Sequence, residues 1–300
     1  MHSLPSSPET LTLHLAILIC EVLPPVVSCL RGPFDQIFQN FFDRGAKRLS
    51  NGNNNDYNDE QQWPGLRKQI KVKTTPYNAT AFQLPDAEAL EGLDALVVTG
   101  SSAGAYEDIE WVKHLQRFLQ DTYQHHPKVK IFGTCFGHQI INQSLFAHTG
   151  GLHVMKNPRG WELGVYEITI NPKFASCFPR QLKSAAAARA ASSSERIQLQ
   201  LSHQDTVVVT QSAQLPPECV EVGFTDLCGM QGMYVPGRVL TLQAHPEFDR
   251  EVNGACIREI VGAGWPIEET REYLRLTDKD DDAALMEEVV MEFLLQGSKA

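Results

Sequence analysis

One short string has the residue types for nucleophilic chemistry: Lys130-Ile131-Phe132-Gly133-Thr134-Cys135-Phe136-Gly137-His138-Gln139. An apolar run meets Gly-x-Cys-x-Gly and a helical pattern follows at once, the arrangement of a nucleophile elbow with sulfur in place of a hydroxyl. A turn that sharp asks for little bulk beside the nucleophile and for unusual backbone angles. It holds the thiol at the head of a helix, where the dipole and the free N–H groups favour the thiolate. It also aims the backbone N–H of Phe136 at the oxyanion of a tetrahedral intermediate. The bland alternative is a buried, inert cysteine beside a helix-capping glycine.

A thiol nucleophile needs a base, and the base needs an orienting group. Val239 to Gln243 reads as a strand, and it ends in Ala244-His245-Pro246-Glu247-Phe248. A histidine just past the C-terminal end of a strand lies where open α/β sheets gather their sites. Glu247 is placed to meet the same imidazole across the bend that Pro246 enforces. The other chemistry-bearing residues carry weaker signals. His203 and Asp205, in Ser202-His203-Gln204-Asp205, either border the pocket or belong to a solvated strand-entry turn. His138 reads as a packing residue on the helix, and Trp161-Glu162 as a hydrophobic anchor followed by an exposed charge. Cys20, Cys29, Cys177, Cys219, Cys228 and Cys256 lack comparable local geometry and read as structural. The acidic run Asp278 to Asp282 lacks the ligand spacing and central glycine of a calcium loop, and His125-His126 has no further ligands nearby. No metal and no cofactor are expected.

These residues need a scaffold, and the chain supplies one. Short apolar runs alternate with helical patterns, which predicts parallel strands in an α/β layer fold with helices on both faces. The strands are read at Leu13–Ile19, Gln69–Thr74, Leu93–Thr99, Val129–Phe132, Val165–Ile170, Val207–Thr210 and Val239–Gln243. Helices are read at Phe34–Phe42, around Trp111, Leu115, Phe118 and Leu119, from Cys135 to Leu145, and at Leu285–Leu295. Leu11 to Leu30 imitates a signal peptide, but it lacks a basic start and carries His14, Glu21 and Pro24-Pro25; a buried first strand is the better reading. The expected organisation is one domain over 12–250, with surface insertions near 49–65 and 184–194, and a C-terminal helical extension over 251–300 packed on it. Of 300 residues, 42% are apolar, and 26 basic residues against 36 acidic ones give a net charge of −10. That balance excludes a general nucleic-acid binder, and no run suits a membrane span. Seven unpatterned cysteines point to free thiols in a reducing compartment, hence the cytoplasm.

The elbow Gly133 to Gln139, the later His245-Pro246-Glu247 and the loop at Gly100 together resemble the class I glutamine amidotransferase domain. Gly150-Gly151, Asn157 to Gly164 and Ser202 to Asp205 support the likeness, which runs from about Leu13 to Phe248. The resemblance implies a three-layer, flavodoxin-like α/β fold. It implies Cys135 as nucleophile on the side-chain amide of glutamine or on a γ-glutamyl bond, with His245 as base and then acid and Glu247 as its orienting group. Phe136, with Gly100 or Ser101, would hold the oxyanion, and Gln139, His203 and Asp205 would contact the amino-acid portion. The γ-glutamyl thioester would then be cleared by water or another amine. Two departures stand out. The oxyanion loop reads Thr99-Gly100-Ser101-Ser102-Ala103-Gly104 where many members have Gly-Gly-Pro. No P-loop or synthase-like segment accompanies the domain, so an ammonia-accepting synthase would be a separate chain. Three functions stay open: an enzyme cleaving glutamine or a γ-glutamyl bond, either as a glutaminase feeding a small-molecule biosynthetic partner or as a γ-glutamyl peptidase or hydrolase acting alone; a Cys hydrolase of the same superfamily acting on an unrelated amide; and an idle binding or regulatory relative.

Overall fold

Nearly continuous apolar runs belong in a sheet covered on both faces, and Ala95–Val98 and Lys130–Thr134 are buried along their whole length. The computed structural model describes residues 10–52, 69–182, 196–210 and 215–297. In chain order the elements are β1 (Thr10–Ile19), α1 (Pro25–Arg31), α2 (Phe34–Gly52), β2 (Gln69–Asn78), α3 (Ala87–Glu91), β3 (Ala95–Val98) and α4 (Glu110–His125). There follow β4 (Lys130–Thr134), α5 (Phe136–Phe146), β5 (Leu152–Lys156), β6 (Glu162–Ile170), α6 (Pro172–Cys177), β7 (Arg196–His203) and β8 (Asp205–Val209). The chain continues through β9 (Val220–Glu221), β10 (Gly223–Phe224), β11 (Gly232–Val235), β12 (Val239–Leu242), α7 (Arg250–Cys256), α8 (Ile267–Thr277) and α9 (Ala283–Leu295).

The main sheet has the order β2-β1-β3-β4-β12-β11-β9. Its first five strands run parallel, and β11 and β9 close one edge antiparallel. The parallel part has the order of a flavodoxin-like doubly wound sheet, as expected, so ligands belong at the carboxyl ends of its strands. Two small antiparallel sheets, β10-β6-β7 and β5-β8, sit beside it.

The two-residue period of a strand sorts side chains between two cores. Leu15, Ile17, Val97, Phe132, Leu240 and Leu242 join the core under α2 and α9. Ala16, Leu18, Leu96, Val98, Ile131 and Val239 join the one under α4 and α5. Helix α2 presents Phe34, Ile37, Phe38, Phe41, Phe42, Ala46 and Leu49 at helical spacing, all buried. Phe41 stacks on Phe132 of β4 at 6.5 Å, and each such ring contributes about 1.5–3 kcal/mol by burial. Gly45 lets α2 approach α9, because a Cβ there would lie 2.7 Å from Met291 Cγ. The helix therefore runs past the expected boundary: residues 49–52 are its last turn. The rest of the 49–65 reading, and the whole 184–194 reading, lie outside the described residues. Among the described residues no helix is long and apolar enough to cross a membrane.

Candidate active site

Four carboxyl ends of parallel strands converge: β1 leads to Glu21, β3 to Gly100, β4 to Cys135 and β12 to His245. Cys135 is the hinge of a strand-to-helix turn, with φ 51 and ψ −111, a left-handed backbone that only local over-determination keeps in a non-glycine residue. Its N–H donates to the Leu242 carbonyl at 2.9 Å, and its own carbonyl accepts from Gln139 N–H at 3.1 Å. The flanking glycines serve close approach instead of the unusual angles expected of them. A Cβ on Gly137 would lie 2.2 Å from the Val98 carbonyl oxygen, and one on Gly133 would lie 2.6 Å from Ile141 Cδ1. The strain sits on the cysteine itself, and the glycines let α5 pack onto the strands beneath it.

His245 lies between Cys135 and a carboxylate. Its Nδ1 is 2.8 Å from Glu247 Oε1, and that oxygen also accepts from Thr134 Oγ1 at 2.9 Å. Both side chains are sealed from water, at 4% and 0% exposure. Burial works against the imidazolium, but the charges of Glu247 and of the Cys135 sulfur, with hydrogen bonds to both, outweigh it and hold His245 up to about 10. Phe248 lies flat on the imidazole, with ring centroids 4.2 Å apart and planes 1° from parallel, and Phe34 stacks on Phe248. The ring is thus fixed from its edge and its face. Thr134, the residue between Gly133 and Cys135, gave no signal in the sequence as a partner of Glu247.

The loop after β3 borders both side chains: a Cβ on Gly100 would lie 3.0 Å from His245 Cε1 and 3.9 Å from Cys135 Cβ. Glu21 grips this loop, accepting from the Ser102 N–H and, at 2.9 Å, from the Ser102 hydroxyl. Ala103 N–H donates to Ser101 Oγ and Gly104 N–H to Glu107 Oε2. These acceptors take the N–H groups of residues 102, 103 and 104 and leave those of Gly100 and Ser101 untouched. Sequence reading placed Glu21 only as a blemish in an apolar run.

A cavity of about 370 Å³ opens on Cys135, within the size range of small-molecule sites. Gln139, His203, Asp205, Gly100, Ser101, Glu21 and His245 all line it; Phe136, fully buried at the head of α5, does not reach it with its side chain. The Gln139 amide nitrogen donates to the Asp205 carbonyl and to Gln243 Oε1, which leaves its carbonyl oxygen uncommitted to either. The alternative of a solvated turn at His203 does not hold: it ends β7, buried, with Nδ1 2.9 Å from the Asp205 carbonyl. Its Nε2 lies 3.1 Å from Glu162 Oε2. Glu162 is accordingly not the exposed charge expected; it is fully buried and also accepts from Thr225 and Gln231. Burial, with Tyr106 and Lys156 opposing, raises Asp205 above the usual carboxylate range. Cys256 also lines the cavity, and burial next to Glu21, Glu247 and Cys135 pushes its thiol up to about 12. His138 is driven down to about 3, chiefly by burial, and stays neutral.

A family model, glutamine amidotransferase class-I, matches residues 65–259. The chain belongs to the class I glutamine amidotransferase family. A glutamine amidotransferase-like protein of Schizosaccharomyces pombe is 26% identical over 94% of this chain and 99% of its own length. Gamma-glutamyl peptidase 3 of Arabidopsis thaliana is 27% identical, over 57% of this chain and 61% of the peptidase. Among solved structures, a glutamine amidotransferase of Thermotoga maritima superposes with a TM-score of 0.55 at 16% identity, covering 95% of each chain. That likeness is one of fold. Membership of the family brings an amidotransferase- or hydrolase-type activity to this chain.

Proposed function

We propose that this amidotransferase-family chain cleaves the side-chain amide of glutamine, or a γ-glutamyl bond, through a thioester on Cys135. The observation that carries the reading is an imidazole bonded to a buried carboxylate at 2.8 Å and flanked by the strained elbow cysteine, a Cβ on Gly100 falling 3.0 Å from His245 Cε1 and 3.9 Å from Cys135 Cβ. Cys135 Sγ attacks the γ-carbonyl carbon, and the oxyanion that forms is met by the N–H of Phe136 at the helix head and by that of Gly100 or Ser101. As the C–N bond breaks, His245 gives its Nε2 proton to the departing amine, while Glu247 keeps the ring oriented. Water then attacks the thioester, His245 takes its proton, and glutamate leaves with the thiolate restored. Gln139 and Asp205 offer acceptors to the α-ammonium of the γ-glutamyl group, with His203 ordering Asp205 through its carbonyl.

Ammonia or amine goes free, or to a separate synthase subunit serving a small-molecule pathway. Seven free thiols fit residence in the cytoplasm. The test is covalent trapping. A glutamine-analogue electrophile should add once to the intact protein, Cys135→Ser should abolish the adduct, and Cys256→Ser should keep it. An adduct elsewhere, or none, overturns the reading.

A further inference from the structure

The cavity at Cys135 is lined by two chemically different sets of residues: polar Gln139, Gln204, Asp205, Glu107 and Lys156, and, with Glu21 also in the lining, Leu23, Phe34, Phe248, Cys256, Ile260 and Val261. Leu23, Phe34, Phe248 and Cys256 are buried, so the apolar set is a built wall with fixed side chains. Ile260 and Val261 reach it from a π-helical turn, Ile257–Val261, that continues α7. Such turns depart from regular helix geometry and recur at functional sites.

The wall begins where the leaving group must be. Phe248 is flat against His245 at 4.2 Å, and Phe34 stacks behind it at 6.1 Å. With the γ-carbonyl oxygen turned to the Phe136 N–H, the departing nitrogen faces the imidazole that protonates it, and any carbon it carries continues over these rings. Ammonia from glutamine would touch none of this surface. Glu21 lines the cavity as well, with both its carboxylate oxygens accepting from Ser102.

We infer that the wall is a leaving-group subsite, and that the chain is built for γ-glutamyl amides of apolar primary amines in preference to glutamine itself. The inference rests on the γ-glutamyl reading above and adds the substrate class. The step balances as before: the thioester forms, the C–N bond breaks, the amine leaves with the His245 proton, and water releases glutamate.

Purified protein is given glutamine, γ-glutamylglycine and γ-glutamyl-n-hexylamide, and glutamate release is followed. The hexylamide should be cleaved with kcat/KM at least about tenfold above the other two, the discrimination expected of a few methylenes in an apolar pocket. Val261→Asp should bring the hexylamide down to the level of γ-glutamylglycine, while continued trapping of Cys135 by the electrophile shows that the variant is folded. Cleavage of glutamine or γ-glutamylglycine with no advantage for the hexylamide overturns the subsite and leaves the γ-glutamyl reading standing. An advantage that survives Val261→Asp also overturns the subsite. Glutamate from none of the three overturns both.

Discussion

Replacing Glu247 by Gln separates charge from shape at the centre of the site. The side chain has no exposure, and Gln keeps the acceptor that meets His245 at 2.8 Å and Thr134 at 2.9 Å. The negative charge is lost, and an amide NH2 takes the place of the buried Oε2. A rise in His245 from 6.5 to about 10 corresponds to on the order of 5 kcal/mol of preference for the imidazolium, shared between Glu247 and the Cys135 sulfur. Without the carboxylate, burial is opposed by the sulfur alone, and the imidazole loses its proton at lower pH than in the parent.

Acylation should then fall by at least about 100-fold, the usual scale of general acid–base contributions. The high-pH limb of kcat/KM for glutamate release, set in the parent by loss of the His245 proton near 10, should move to lower pH. Stability follows the same sign. A histidine with a raised folded pKa stabilises fully below about 6.5 and ceases to as pH climbs through about 10, so the parent's melting temperature should drop across that window. Glu247→Gln should flatten the drop. A variant whose alkaline limb stays in place, or whose rate is within a few-fold of the parent, refutes the assignment of His245 and Glu247 as a working pair.

Glu21→Ala frees the oxyanion loop, and kcat should fall about tenfold with little change in KM; Glu21→Gln, which keeps one acceptor for Ser102, should recover part of it in the same glutamate assay. Thr134→Val removes a buried hydrogen bond to a carboxylate, worth about 1.5–3 kcal/mol, and denaturant titration should show a loss of that size together with a slower rate. Gly137→Ala forces a Cβ to 2.2 Å from the Val98 carbonyl; strain of this kind costs about 1–3 kcal/mol, read as a lower melting temperature with weaker Cys135 trapping.

The sequence carried those features whose cause is local. Strands such as Ala95–Val98 are continuous apolar runs because both faces are covered, and the elbow declares itself because Gly133 and Gly137 must be small. Partners set by tertiary approach were not legible. Thr134 hydrogen-bonds a carboxylate far along the chain, and nothing in Gly-Thr-Cys announces it. Glu21 stood in an apolar run with no hint that the loop after β3 would come to rest on it. Strands β5, β7, β9, β10 and β11 and the short helices α1, α3 and α6 went unread; β7 alternates strictly, with Ile197, Leu199 and Leu201 buried between polar residues, so its pattern was there to read, while the burial of its Gln200, whose amide donates to the Thr277 carbonyl, is set by tertiary approach. Glu162 looked exposed because a glutamate beside a tryptophan usually is, and only its partners His203, Thr225 and Gln231 account for its burial.

Two imidazoles face this cavity, each against a buried carboxylate, and the choice between them as the base follows from their ring nitrogens. His203 has Nδ1 at 2.9 Å from the Asp205 carbonyl, which can only accept, so that nitrogen must carry a proton. Its other nitrogen faces Glu162 Oε2 at 3.1 Å. Neither nitrogen is directed at the sulfur. His245 differs at this point: Nδ1 belongs to Glu247, while Nε2 lies on the side of the ring where Gly100 and Cys135 meet and where the sulfur acts on it. His203→Ala should therefore raise KM through a disordered Asp205 carbonyl while the alkaline limb stays near 10. His245→Ala should remove that limb and cut acylation by at least about 100-fold. The reverse pattern in a pH-rate series would exchange the roles of the two histidines.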